Sequence, residues 1–164
     1  MNLVHLHLLL NHFPVIGVVI VAFLLMAAVF RRSGELAKVS LAMLALVGAI
    51  SILVFLTGEP AQDAVEKLPG ISERIIDRHE DAARIATIVT AGIGALALGA
   101  LAVYRRRALP RWVTLFALVG AVGSSAMMGY AANLGGQIRH TEIRGGSALG
   151  GARSNAGAQE AEER

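Results

Sequence analysis

The sequence contains no cysteine. That excludes disulfides, iron–sulfur ligation and thiol catalysis, and leaves the redox compartment undetermined. Charge is scarce too: Asp, Glu, Lys and Arg make up 16% of the chain, against about 25% in an average soluble protein. The deficit lies in long uncharged runs, while apolar residues reach 55%. The solvent for most of this chain is therefore lipid. Aromatics are sparse at 5%, and the net charge is only +3. The Arg and Lys residues gather at the ends of apolar runs, so they read as topology signals and not as a nucleic-acid surface. No Gly-rich phosphate loop, nucleotide signature, Ser-His-Asp set or His-Glu-x-x-His sequence occurs, and no catalytic residue can be named.

What is present is a set of four apolar segments, at about 3–30, 36–56, 82–104 and 112–134. A spanning helix needs roughly 20 such residues, and each segment supplies them. A transmembrane β-barrel needs alternating strands of about ten residues, which unbroken Leu/Ala/Val runs do not provide. The expected fold is all-α, an integral membrane four-helix bundle covering residues 1–144. The first segment is not a signal peptide, because no Lys or Arg precedes Arg31 and the apolar run is too long. Arg31, Arg32 and Lys38 flank the first connection; Arg105, Arg106, Arg107 and Arg111 flank the third. Both belong in the cytoplasm by the positive-inside rule, which puts the N- and C-termini on the outer, periplasmic or extracellular side. The location read from this is the bacterial cytoplasmic (inner) membrane, with several passes. Small residues recur every four positions at Ala117, Ala121, Ser125, Gly129 and Asn133, and again at Ala91, Ala95 and Gly99. These stripes are expected to be the faces where helices approach closely.

The outer connection, 57–78, reads as an amphipathic loop. Pro60 suits a first helical turn, with Glu59 and Asp63 nearby. Val65 and Leu68 are candidates to face the bundle or the membrane, and Pro69-Gly70 ends the element. Ser72 is a good N-cap for the third long helix, whose inward stripe Ile75, Ile76, His79, Ala82, Ala83, Ala86 starts outside the membrane. The tail, 145–164, is rich in Gly, Ala, Ser, Glu and Arg with almost nothing to bury, and is expected to be disordered.

All five histidines, His5, His7, His12, His79 and His140, fall at the outer boundary in this topology. His5 and His12 are seven apart and would share a helix face, with His7 pointing elsewhere. Asn11 and Pro14 suggest a break, with Asn11 capping a helix and residues 3–10 separate. Gly135-Gly136 would let the chain fold back and bring His140 over the bundle. Imidazoles at matched depth suit a haem iron or an imidazole-ligated metal. His12 and His79 are the preferred pair, with His140 third. Arg78, Arg84 and Arg139 are candidate partners for haem propionates, and Tyr130, Asn133 and Gln137 for supporting hydrogen bonds. Against this stands a plainer reading: non-membrane residues are concentrated on the outer side, so histidines collect there in any case. Glu80 and Asp81 fit an early-helix position that complements the dipole better than a proton-handling pair.

The segment His7-Leu8-Leu9-Leu10-Asn11-His12-Phe13-Pro14 is one part of a larger ordered pattern. It continues with Thr57-Gly58, Ala61 and Ala64, then Leu68-Pro69, His79 with Ala82-Ala83, and finally Leu134-Gly135-Gly136. Together these resemble a family of small bacterial membrane proteins of unknown function, the DUF2231 domain, across most of residues 1–144. The chain departs after Gly136, where Gln137-Ile138-Arg139-His140 replaces the family's apolar and aromatic stretch before a His. The resemblance implies the four-helix fold and an association with cytochrome-like or redox modules. The expected function is a membrane redox-associated protein that binds haem b or a metal near the outer face. Its partners would be the lipid bilayer, a redox protein or quinone, and a possible second copy in a homo-oligomer. The competing expectation is a non-catalytic membrane subunit whose outer polar cluster docks a partner. A permease is disfavoured, because the span centres carry no charged residue.

Overall fold

A computed structural model describes residues 3–66 and 71–140, leaving aside the side chains at positions 3, 65 and 139. The expectations for Val65, Leu68, Pro69-Gly70, the Arg139 side chain and the tail lie outside the described residues. Within them every regular element is helical: α1 Leu3–Leu10, α2 His12–Arg31, α3 Gly34–Leu56, α4 Gly58–Glu66, α5 Glu73–Tyr104 and α6 Arg111–Arg139. Four stretches are long and apolar enough to cross a membrane: Val4–Arg31, Gly34–Ala64, Glu73–Tyr104 and Arg111–Ile138. The chain is thus built as a multi-pass membrane protein.

The four long helices form a closed ring. α2 packs on α3, α3 on α5, α5 on α6, and α6 returns to α2. The core is a column of Val18, Val21, Leu25, Leu41, Leu44, Ala86, Ala97, Ala117 and Ala121. Outside it, large apolar side chains stand exposed on every long helix, for example Phe23, Leu46, Ile88 and Val119. A water-soluble bundle does not carry such a belt. In lipid it costs nothing, and helices associate through close packing, not through escape from water.

Glycine sets that closeness between α3 and α5. A Cβ on Gly48 would stand 3.1 Å from the Thr90 carbonyl oxygen, and one on Gly94 3.1 Å from the Leu44 carbonyl oxygen. The two backbones touch directly. The expected small-residue stripes need correction here. Ala117 and Ala121 are buried, but Gly129 and Asn133 are exposed, and so are Ala95 and Gly99. A four-residue step advances about 40° beyond a full turn of an α-helix, so such a stripe winds off the contact face within three steps. The true faces mix steps of three and four: Ala117, Ala121, Ser124, Met128, Ala131, Leu134 on α6, and Ala86, Thr90, Gly94, Ala97 on α5.

The connections divide the molecule into two ends. α2 meets α3, and α5 meets α6, at an arginine-rich end. There Arg32 adopts the left-handed conformation (φ 50). Its N–H and that of Ser33 close the end of α2 on Val29 O and Ala28 O. The Ser33 hydroxyl then caps α3 by accepting from the Leu36 N–H at 3.2 Å. The opposite end holds α1, α4, the start of α5 and the end of α6. Two expected caps differ there. Asn11 does separate α1 from α2, but it makes no capping bond, and its Oδ1 is buried without a hydrogen-bond partner among the described residues. Ser72 precedes α5, yet its backbone carbonyl, not its side chain, receives the Ile75 and Ile76 N–H groups. Gly135-Gly136 does not fold the chain back: α6 runs through the pair to Arg139.

Candidate functional site at the histidine end

The histidines at this end are placed by different elements and end in different surroundings. His5 and His12 are exposed on α1 and α2, and His140 is exposed just beyond α6. His7 and His79 are the two half-buried rings. His7 does point away from the face of His5 and His12, as the spacing suggested, but the face it takes is the inward one. α1 lies across α4 and against α3, which turns His7, and not His12, toward the bundle.

Both inward rings are held by the same nitrogen. His7 Nδ1 lies 3.1 Å from Val54 O and 3.2 Å from Thr57 Oγ1. The Thr57 hydroxyl proton already goes to Val54 O, at 2.8 Å. Both neighbours therefore accept, so His7 Nδ1 must carry the proton and donate it. His79 Nδ1 lies 2.9 Å from Ala131 O. A carbonyl accepts only, so His79 is also the Nδ1–H tautomer. Each neutral ring then keeps its lone pair on Nε2.

The backbone makes room for them. A Cβ on Gly135 would stand 3.1 Å from His79 Cε1, tighter than ordinary contact, and one on Gly58 would stand 3.7 Å from His7 Cε1. Gly135 is therefore a seat for the His79 ring inside an unbroken helix, which explains why the glycine pair does not act as a hinge. Thr57 and Gly58 form the corresponding seat where α3 passes into α4.

Around the pair the polar groups are mutually engaged. Arg78 Nη2 donates to the Tyr130 hydroxyl at 3.0 Å, tying α5 to α6 one residue before Ala131. Arg84 donates to Glu80 one turn earlier on α5 and lies 4.0 Å from Asp81. These exposed pairs contribute little stability, and they assign Glu80 and Asp81 to the helix surface. Gln137 Nε2 donates to Asn133 Oδ1 at 2.7 Å along exposed α6.

The donor set decides which groups it can suit. Among the described residues no three His, Cys, Asp or Glu side chains group as a metal cage. A haem iron takes four ligands from its own macrocycle and asks the protein for at most two. Two imidazoles, each with Nδ1–H on a backbone carbonyl, equal that number of ligands. Such a bond on the far nitrogen is what fixes the tautomer of ligating imidazoles. No family model, curated protein or solved structure matches this chain, so function has to be read from its own geometry.

Proposed function

We propose that this protein is a membrane redox component that binds a b-type haem at the histidine end through His7 and His79. The observation carrying the reading is the shared tautomer: both rings commit Nδ1–H to the backbone and hold Nε2 for a ligand. Seven basic residues and one acid, Glu35, mark the opposite end. The positive-inside rule then puts the histidine end on the outer face of a bacterial cytoplasmic membrane. A haem there would exchange electrons with a quinone or a redox protein. Arg78, which reaches Tyr130 across α5 and α6, and Arg84, further along α5, are cations that a propionate could meet. His12 and His140, exposed as they are, take no part in ligation.

The test is a purification from membranes of cells supplied with haem. A Soret band that disappears in His7→Ala and in His79→Ala, and survives in His12→Ala, is the expected result. A colourless wild-type preparation would sink the proposal. A second reading has its own observation. The exposed face of α5 alternates sign through Glu73, Arg74, Asp77, Arg78, Asp81 and Arg84, beside the acidic Glu59, Asp63 and Glu66 of α4. That surface suits docking of another protein, and specific capture of one partner by a colourless preparation would favour a subunit role.

A further inference from the structure

The arginine end carries a second feature that the histidine site does not use. Between α5 and α6 an apolar groove of about 440 Å³ opens sideways. Its floor is small, with Ala97, Ala100 and Ala117, and its walls are large, with Val103, Trp112 and Phe116. The wall residues are exposed: Val103 is 66%, Trp112 66% and Phe116 56% accessible. Small residues on the facing helices keep the floor low, and the long side chains splay outward on either side. The groove is therefore open to whatever surrounds the helices.

Its mouth has a definite charge. Tyr104 ends α5 and Trp112 begins α6, and between them stand Arg105, Arg106, Arg107 and Arg111 with no acid. All four are exposed, and the ion pairs of Arg84 with Glu80 and Asp81 do not involve them. The neighbouring connection adds Arg31, Arg32 and Lys38 against Glu35. The trough is lined at one end by Tyr104 and Trp112, which adjoin Arg105 and Arg111 in sequence; an apolar trough beside such a cationic connection complements a long hydrocarbon chain with an anionic phosphate headgroup.

We infer that the α5–α6 groove is a binding site for an anionic phospholipid, with an acyl chain along Ala97, Ala100 and Ala117 and the headgroup phosphate on the Arg105–Arg111 cluster. Arginine suits phosphate because its planar fork donates two parallel hydrogen bonds. The apolar wall excludes water and holds the chain in register with the headgroup. A zwitterionic phospholipid brings the same phosphate into the trough, but its choline cation is repelled by the arginine cluster, so its net attraction is weaker.

Trp112 is the only tryptophan of the chain and lines the groove, which supplies the assay. The full-length protein is reconstituted in phosphatidylcholine vesicles containing a fixed fraction of brominated lipid, and Trp112 fluorescence is measured. Brominated phosphatidylglycerol should out-compete brominated phosphatidylcholine by about fivefold, the effect of a single surface arginine on an anionic lipid. The preference should shrink with added salt, a control that needs no mutation. It should fall further when Arg105, Arg106 and Arg107 are changed to Gln. In Gly99→Leu, quenching by both lipids should drop, because Gly99 lines the groove and its Cβ position meets no neighbouring atom within 4 Å. Equal quenching by the two brominated lipids in the wild type would overturn the inference. So would the absence of quenching by either, together with cross-linking of copies through this face, which would make a second copy the occupant.

Discussion

At the scale of single residues, the informative positions are polar groups in an apolar bundle. Ser40 and Ser51 return their hydroxyl protons to carbonyls of their own helix, Leu36 O and Gly48 O. Thr90 does not: it is fully buried, with Oγ1 unpartnered among the described residues. A hydroxyl left in that state costs about 1–3 kcal/mol. Thr90→Val keeps the shape and removes the group, so it should leave stability unchanged or raise it by about 1 kcal/mol. Unfolding in mixed detergent would read this, and a clear loss would mean that the hydroxyl has a partner in the membrane. Gly135 poses the opposite case. Gly135→Ala puts a methyl 3.1 Å from the His79 ring, which must shift by a few tenths of an ångström and strain its bond to Ala131 O. The expected cost is about 1–3 kcal/mol. A larger functional effect should accompany it: loss of the haem spectrum if His79 is a ligand. An unaltered spectrum would separate the ring's packing from the proposed ligation.

At the scale of elements, α3 and α5 are joined most closely. Gly48 and Gly94 meet backbone on every side, so nothing flexible can yield to a larger residue. Gly94→Val should force the helices apart and destabilise the bundle by about 1–3 kcal/mol. Gly99→Leu on the same helix should be tolerated, since its Cβ position is open. Similar midpoints for the two variants in a denaturation series would contradict the assigned contact face. α1 shows the reverse relation between element and partner. It is short and leucine-rich, and its position comes from α4, α3 and α2 together. A helix of eight residues is too short to be stable by itself. Placement of His7 therefore depends on tertiary contact, not on local sequence.

At the scale of the whole molecule, the absence of cysteine is an experimental convenience. A single cysteine introduced at Gln62 on α4 or at Arg106 in the α5–α6 connection has no natural competitor. In intact cells an impermeant thiol reagent should label Gln62→Cys and not Arg106→Cys until the membrane is opened. The reverse pattern would invert the topology and move the histidine end to the cytoplasm. Either result leaves the four-helix ring as it stands, because the ring rests on packing and not on orientation.

Length and composition alone determined the number of spans, their approximate bounds and the separation of a basic end from a histidine end. These are one-dimensional properties: a membrane reads a helix by its run of apolar residues and its flanking charge. The break at Asn11 and the early start of the third helix before His79 were also legible, since proline geometry and helical periodicity are local, although neither Asn11 nor Ser72 caps through its side chain. Which face each helix turns inward was not. The regular four-residue stripes looked like contact faces and were only partly so, because a helix repeats every 3.6 residues and the partner's curvature selects the true seam. That His7 and not His12 turns inward was decided by how α1 folds over the end of α3. The role of Gly135 was decided by the arrival of a ring from another helix. Both depend on residues about fifty positions away, Val54 and Thr57 for His7, Ala131 for His79, and only the folded chain brings such partners together.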